Sequence, residues 1–216
     1  MSSSKLRVFL VCVVLLPAAC AGLERELSAE KAQKLRDFVE GVRACRNNVG
    51  ISIAIVKDGL TLFAGGFGYR DEEKKLPVEN NTKISIGSLT KAFTATMAAD
   101  AVSKGQLKWD QPLREILGKD FRLQDNFRSK KATIRDLLAH RLGMPNYASV
   151  AMAAIDVSRE DLCMKKLQHF PVNFEFRSKY EYSNYPYVLA GYVTEKVRGE
   201  IWEDDVTETL FKSLGM

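Results

Sequence analysis

Between residues 28 and 46, Leu35, Phe38, Val39, Val42 and Cys45 recur at three- and four-residue steps, the spacing of one apolar helix face. Ser28 stands where an N-cap belongs. The period then changes. Residues 50–57 are a β-branched run, Asp58-Gly59 is a strong hairpin turn, and residues 60–67 return. Ile51, Ile53 and Ile55 share one face and Ala54 and Val56 the other. Both faces are largely apolar, so the sheet is expected to be covered on both sides.

After a charged turn at residues 71–75 the pattern is helical to the end. One helix opens at Ser88 and ends near Lys104, with Gly105 as its C-cap. A short helix fits residues 112–117. Thr133-Ile134-Arg135-Asp136 is a capping-box start for Leu137 to His140, ended by Gly143 and Pro145. Further helices are predicted over 158–169, 187–197 (stopped by Gly199) and 202–214. No internal repeat or low-complexity linker interrupts them. A lone hairpin is marginal, and an apolar sheet needs more strands than the chain supplies before Met216.

Composition narrows this picture. A chain of 216 residues, 46% hydrophobic, suits one domain with a real core, or one domain and a small lobe. The net charge of +5 is modest, and no basic stripe is interleaved with aromatics, which disfavours nucleic acid. Arg128-Ser129-Lys130-Lys131, the densest basic run, reads as a solvated loop. At the N-terminus, Lys5 and Arg7 precede an apolar run over 8–16, a breaking Pro17 and the small residues Ala19-Cys20-Ala21. This is a signal-peptide pattern over 1–21, leaving a mature domain over 22–216 that is secreted, or periplasmic in a bacterium. The apolar run is too short to predict a stable membrane span. Lipid attachment at Cys20 is the lesser reading, because Pro17 sits where such signals prefer an aliphatic residue.

Cleavage leaves Cys45 and Cys163, which either pair, as export permits, or remain buried thiols. Asn80-Asn81-Thr82 is a glycosylation sequon in a eukaryotic source. With only His140 and His169 and no clustered ligands, neither a metal nor any other cofactor is expected.

Two motifs carry chemistry. Ser88-Leu89-Thr90-Lys91 is one of three S-x-x-K matches, with those at Ser2 and Ser28, and alone opens a helix apolar enough for burial. Three-residue spacing on a helix brings the Ser88 hydroxyl and Lys91 amine together, a nucleophile beside a group that can hold its proton. The plain alternative is a helix cap. Tyr182-Ser183-Asn184 is the only Y-x-N. Tyr182 could share a proton with the Ser88 pair, and Asn184 could bind a substrate carbonyl. The plain alternative is a buried tyrosine and a capping asparagine.

Together these motifs resemble the serine β-lactamase and penicillin-binding family, in its class C β-lactamase, DD-peptidase and family VIII esterase branch. Residues 53–59 and 66–71 look like that branch's first hairpin, 86–95 like its nucleophile segment, and 133–140 with Gly143-Met144-Pro145 like its helical-lobe signature. Residues 180–184 with 189–192 resemble its tyrosine motif, and 211–216 the end of its helical region. The resemblance runs from about residue 30 to the last residue. It implies an α/β (α+β) fold, an antiparallel sheet flanked by helices plus a helical lobe, with the C-terminal sheet strands missing. It also implies an acyl-enzyme mechanism: Ser88 attacks an amide, lactam or ester carbonyl, Lys91 or Tyr182 takes its proton, and water releases the acyl group. The Ser88 backbone N–H would supply half of an oxyanion hole. The substrate would be a small molecule or peptide; nothing fixes the oligomeric state.

The chain departs from that pattern in three places. The late-strand Lys- or His-x-Gly motif, which supplies the other oxyanion donor, is absent. Arg141-Leu142 stands where Thr-Ser is usual, and Phe176-Arg177 where Pro-Gly is usual. Two expectations follow: a serine hydrolase represented by an incomplete chain, or a non-catalytic, exported relative that is truncated or degenerate.

Overall fold

A computed structural model describes residues 26–146 and 157–216, together with the backbone of Val14–Leu15. The chain forms two compact units, residues 1–87 and 88–216. Apart from Val14–Leu15, the expected signal peptide lies outside the described residues.

In the first unit, β1 (Val14–Leu15), β2 (Gly50–Lys57), β3 (Leu60–Asp71) and β4 (Leu76–Pro77) form a sheet in that order. β1 lies parallel to β2; the other pairs are antiparallel. Asp58 and Gly59 both have positive φ, 51° and 76°, the turn whose twist matches its strands. Near that turn Ile55 pairs with Phe63 and Val56 with Thr61, so Leu62 is the extra residue of a bulge. Leu62 and Phe63 are consequently both buried.

Helix α1 (Ala29–Arg46) is capped by the Ser28 hydroxyl and ends on left-handed Asn47. Its Val39 packs with Ile51, Phe63 and Phe67, which covers the isoleucine face of the hairpin. Two expectations are corrected here. Phe38 points to solvent, 69% exposed, because the helix buries a stripe centred on Val39 alone. The opposite sheet face is not covered throughout: Ala54 and Ala64, a cross-strand pair, and Val56 are exposed. Only its far end is filled, where Val78 lies so close that a Cβ on Gly66 would meet the Val78 carbonyl oxygen at 2.1 Å.

The second unit is helical: α2 (Thr90–Ser103), α3 (Leu113–Leu117), α4 (Asn126–Lys131) and α5 (Ile134–Leu138) precede three further segments. α6 is an α turn, Arg159–Asp161, that widens through Leu162–Lys166 and tightens at Leu167–His169. α7 spans Tyr185–Arg198. α8 begins at Trp202–Val206, widens through Thr207–Phe211 and closes at Lys212–Leu214. Wide π-type turns inside α6 and α8 carry no signal in the hydrophobic period. α7 is the central element, touching α2, α3, α5, α6 and α8. Its Leu189, Ala190 and Val193 are fully buried in a core with Ala98, Phe121, Leu137 and Leu167.

Polar anchors hold this core. Thr133 and Asp136 form the predicted capping box of α5, although the helix ends at Leu138, before left-handed His140. The basic run expected to be a solvated loop is instead α4, capped by Asp125. Ser129 is buried, and Arg128 is buried because its guanidinium finds the Asp125 carboxylate and the carbonyls of Leu142 and Phe174. Arg198 is half-buried, tied to Asp100, to the buried Asp205 and to Thr209. Both described cysteines are free thiols, Cys45 exposed and Cys163 buried.

Candidate active site

Ser88 sits in a tight turn, Gly87–Leu89, that leads into α2. The N-cap of α2 is Leu89, without a side-chain bond, so Ser88 is not a helix cap. Its hydroxyl oxygen lies 2.6 Å from the Tyr182 hydroxyl, and Lys91 Nζ, one turn on, donates to it at 3.2 Å. Lys91 also donates to Asn184 Oδ1 at 2.6 Å, and the Tyr182 hydroxyl donates to the same oxygen at 3.3 Å. The four side chains singled out in the sequence, Ser88, Lys91, Tyr182 and Asn184, thus form one hydrogen-bonded cluster within the second unit. Tyr182 is 37% exposed, and Asn184 occupies the N-cap position of α7 without making a capping bond. Neither plain alternative describes them.

A laced segment brings Tyr182 and Asn184 to α2. Asn173 N–H donates to the Gly143 carbonyl, Arg177 N–H to Arg141 and Glu181 N–H to His140. Ser183, fully buried, donates its N–H to His140 Nδ1 and its hydroxyl to the Pro145 carbonyl. Asn184 N–H ends the series on Asn146 Oδ1. At Gly143 the two segments approach so closely that a Cβ would fall 2.3 Å from the Phe174 carbonyl oxygen.

Three residues that the motif reading did not assign complete the surroundings. The buried His140 ring lies 4.8 Å from the Tyr182 ring and 5.1 Å from the Tyr187 ring, centroid to centroid. Accepting at Nδ1 puts its proton on Nε2. Lys91 Nζ stands 4.9 Å from the Tyr182 centroid and 5.5 Å from that of Tyr187, whose hydroxyl is held by the Leu138 carbonyl. Asn146 positions Asn184 through the backbone. Among these only His140 lay in a segment that suggested a family, and only as part of a helical signature.

These contacts tune the titrating groups. Burial alone would raise the Tyr182 hydroxyl, but its contacts with Lys91 and Ser88 and the Lys91 charge outweigh that and hold it below the ordinary tyrosine value. His140 is held below the ordinary histidine value by burial and then by the Lys91 charge, which keeps its Nδ1 lone pair available. Burial pushes the Tyr187 hydroxyl up. The environment thus separates two neighbouring phenols, one toward ionisation and one away from it.

Beside Lys91 and Asn184 opens a cleft of about 350 Å³, walled by Tyr187, Val188, Gly191 and Trp202. Trp202 Nε1 is buried without a hydrogen-bond partner. Among the described residues no group of three or more His, Cys, Asp or Glu side chains could hold a metal ion, and no helix is long and apolar enough to cross a membrane.

The Beta-lactamase family profile matches residues 35–216. Among curated proteins, the chain is 30% identical over 194 residues to an unguisins hydrolase of Aspergillus campestris, covering 84% of this chain and 35% of the relative. It is 28% identical over 200 residues to Protein flp of Staphylococcus aureus, covering 88% and 38%. Among solved structures, an octameric penicillin-binding protein homologue from Pyrococcus abyssi superposes with a TM-score of 0.74 at 30% identity, covering 86% of this chain and 43% of that one. A D-amino acid amidase from Ochrobactrum anthropi, complexed with L-phenylalanine amide, gives 0.72 at 26%, covering 86% and 52%. The chain therefore spans about a third to a half of the length of these relatives. Helices with a small antiparallel sheet, neighbours of β-lactamase/transpeptidase-like fold and a profile match over most of the sequence lead to one conclusion: the chain belongs to the beta-lactamase family.

Proposed function

We propose that this protein is a serine hydrolase that cleaves an amide, lactam or ester bond through an acyl-enzyme on Ser88. The observation that carries the reading is the pair of short contacts on one oxygen: Ser88 Oγ is 2.6 Å from Tyr182 Oη and 3.2 Å from Lys91 Nζ. A serine hydroxyl needs an adjacent acceptor to become a nucleophile. Tyr182, its hydroxyl held below the ordinary tyrosine value, reacts as the phenolate, which the Lys91 ammonium stabilises; it takes the Ser88 proton as Oγ bonds to the carbonyl carbon and becomes a neutral phenol. The proton then passes to the leaving group as the C–N or C–O bond breaks, and water repeats the sequence to free the acid. Asn184 Oδ1 is occupied by Lys91 and Tyr182, which leaves its amide N–H₂ to bind the substrate carbonyl. The relatives bearing amidase, hydrolase and penicillin-binding names support this substrate class. The basic and apolar N-terminal pattern supports export, with residues 22–216 as the mature chain.

The test is labelling of purified protein with a fluorophosphonate probe, followed by peptide mapping. Adduct on Ser88, abolished in Ser88→Ala and slowed at least tenfold in Tyr182→Phe, is the expected result. A folded wild-type protein, judged by circular dichroism, that leaves Ser88 unlabelled would refute the reading and favour a non-catalytic relative.

A further inference from the structure

Beside the Arg177–Arg141 bond of the laced segment lies a cleft of about 420 Å³ bordered by Lys131, Arg135, Arg141 and Arg177. Two carboxylates, Asp110 and Asp136, share it. Both are already engaged. Asp110 takes two bonds from Arg135, and Asp136 takes two from Arg177 besides those from Thr133. Four cations against two carboxylates leave two positive charges in excess. Lys131 is exposed and has no carboxylate partner among the described residues; Arg141 is exposed and among them its side chain donates to the Arg177 carbonyl alone. Among the described residues the nearest arginines keep unused donors as well, because Arg177 spends Nε and Nη2 and Arg135 spends Nε and Nη2.

Arg141 and Arg177 are bonded to each other through their backbones as well, Arg177 N–H donating to the Arg141 carbonyl. Arg177 holds this place at φ 64°, a left-handed conformation that an arginine adopts reluctantly. Its guanidinium is thereby fixed by Asp136 and the Lys131 carbonyl at the wall of the cleft. Preset guanidinium forks with a free ammonium beside them fit an oxyanion carrying two charges. The volume exceeds what a bare tetrahedral anion fills, so a substituent on that anion has room.

We propose that this cleft binds a doubly charged phosphoryl group, as free phosphate or as a phosphate monoester. Isothermal titration of the full chain at a fixed ionic strength of about 0.15 M tests it, with inorganic phosphate and phosphoserine as separate ligands. Saturable one-to-one binding is expected, weakened about tenfold or more in the Lys131→Ala/Arg141→Ser variant, whose substitutions are both at exposed positions. Tighter binding of phosphoserine identifies a phosphorylated molecule as the source, and equal binding identifies free phosphate. If the double variant loses its native circular dichroism, Arg141→Ser alone provides the same comparison. No saturable binding of either ligand at tens of millimolar, or equal binding by the variant, overturns the proposal. Neither result bears on Ser88, since fluorophosphonate labelling is read separately.

Discussion

The ion pair between Asp136 and Arg177 offers a quantitative test of how the laced segment is held. The Asp136 side chain is 3% exposed and Arg177 43% exposed, so the partners are unequal. In Arg177→Ala, a buried carboxylate keeps only its two Thr133 donors, at 3.0 and 2.8 Å. Breaking a fully buried pair costs about 3–5 kcal/mol, but half of Arg177 faces water, so about 2 kcal/mol is expected. In Asp136→Ala the capping box is lost, worth about 1 kcal/mol, buried Thr133 loses its partners, and Arg177 turns to solvent, for about 2.5 kcal/mol in all. The double variant removes the attraction once, so its cost should be about 3 kcal/mol and the coupling about 1.5 kcal/mol. Urea unfolding followed by circular dichroism measures the cycle, and in thermal melts each kcal/mol corresponds to about 2–4 °C. A coupling below about 0.3 kcal/mol would show that water already screens the pair and would refute its assignment as an anchor.

Arg198→Met should cost about 3 kcal/mol in urea unfolding, because it leaves the buried Asp205 with Thr209 alone, while Asp100 keeps Lys104; a loss under about 1 kcal/mol would contradict the network. His140 is held below 6.5 in the folded protein, so stability is fully present above about pH 6.5 and falls as pH drops through the histidine range. Thermal melts from pH 7.5 to 5 should show this decline, and His140→Gln should flatten it; an identical decline in the variant would rule out His140 as its source. Asp100, Asp125 and Glu203, held below ordinary carboxylate values, respond only at lower pH. Burial raises the Cys163 thiol to about 12, so iodoacetamide at pH 8 should modify exposed Cys45 and spare Cys163 until the protein is denatured, as peptide mapping would reveal.

The hairpin was legible because its signals are local: alternation sets the faces and Asp58-Gly59 sets the turn. The helix boundaries at Ser28, Thr133 and Gly199 were legible for the same reason, since a cap bonds within its own turn. What could not be read depends on partners far along the chain. Arg128 looked like a solvated residue until the carbonyls of Leu142 and Phe174 supplied its bonds. Phe38 matched an apolar period that the helix does not bury. In the candidate site, the three-residue spacing foretold the meeting of Ser88 and Lys91, a contact within one turn. The contacts of Tyr182 and Asn184 with them cross more than ninety positions; the first was conceivable from the residue types and implied by a resemblance to a known family, and the second was not foreseen, since Asn184 was read as a substrate binder. His140 left no separate mark, because its role is to receive a backbone N–H from residue 183 and to stack on rings that arrive from elsewhere.

The lacing of residues 173–184 against 140–146 also works as a length standard. Its bonds fall at residues 173, 177, 181, 183 and 184, and each fixes how much chain lies between one anchor and the next. Side chains along the exposed part of this segment are free to vary, but inserting or deleting one residue after Arg177 would carry the phenol away from Ser88 by a residue's length, roughly 3.3 Å. A contact of 2.6 Å does not survive that displacement. Composition is therefore negotiable only at the exposed positions between these anchors, whereas the residue count is not.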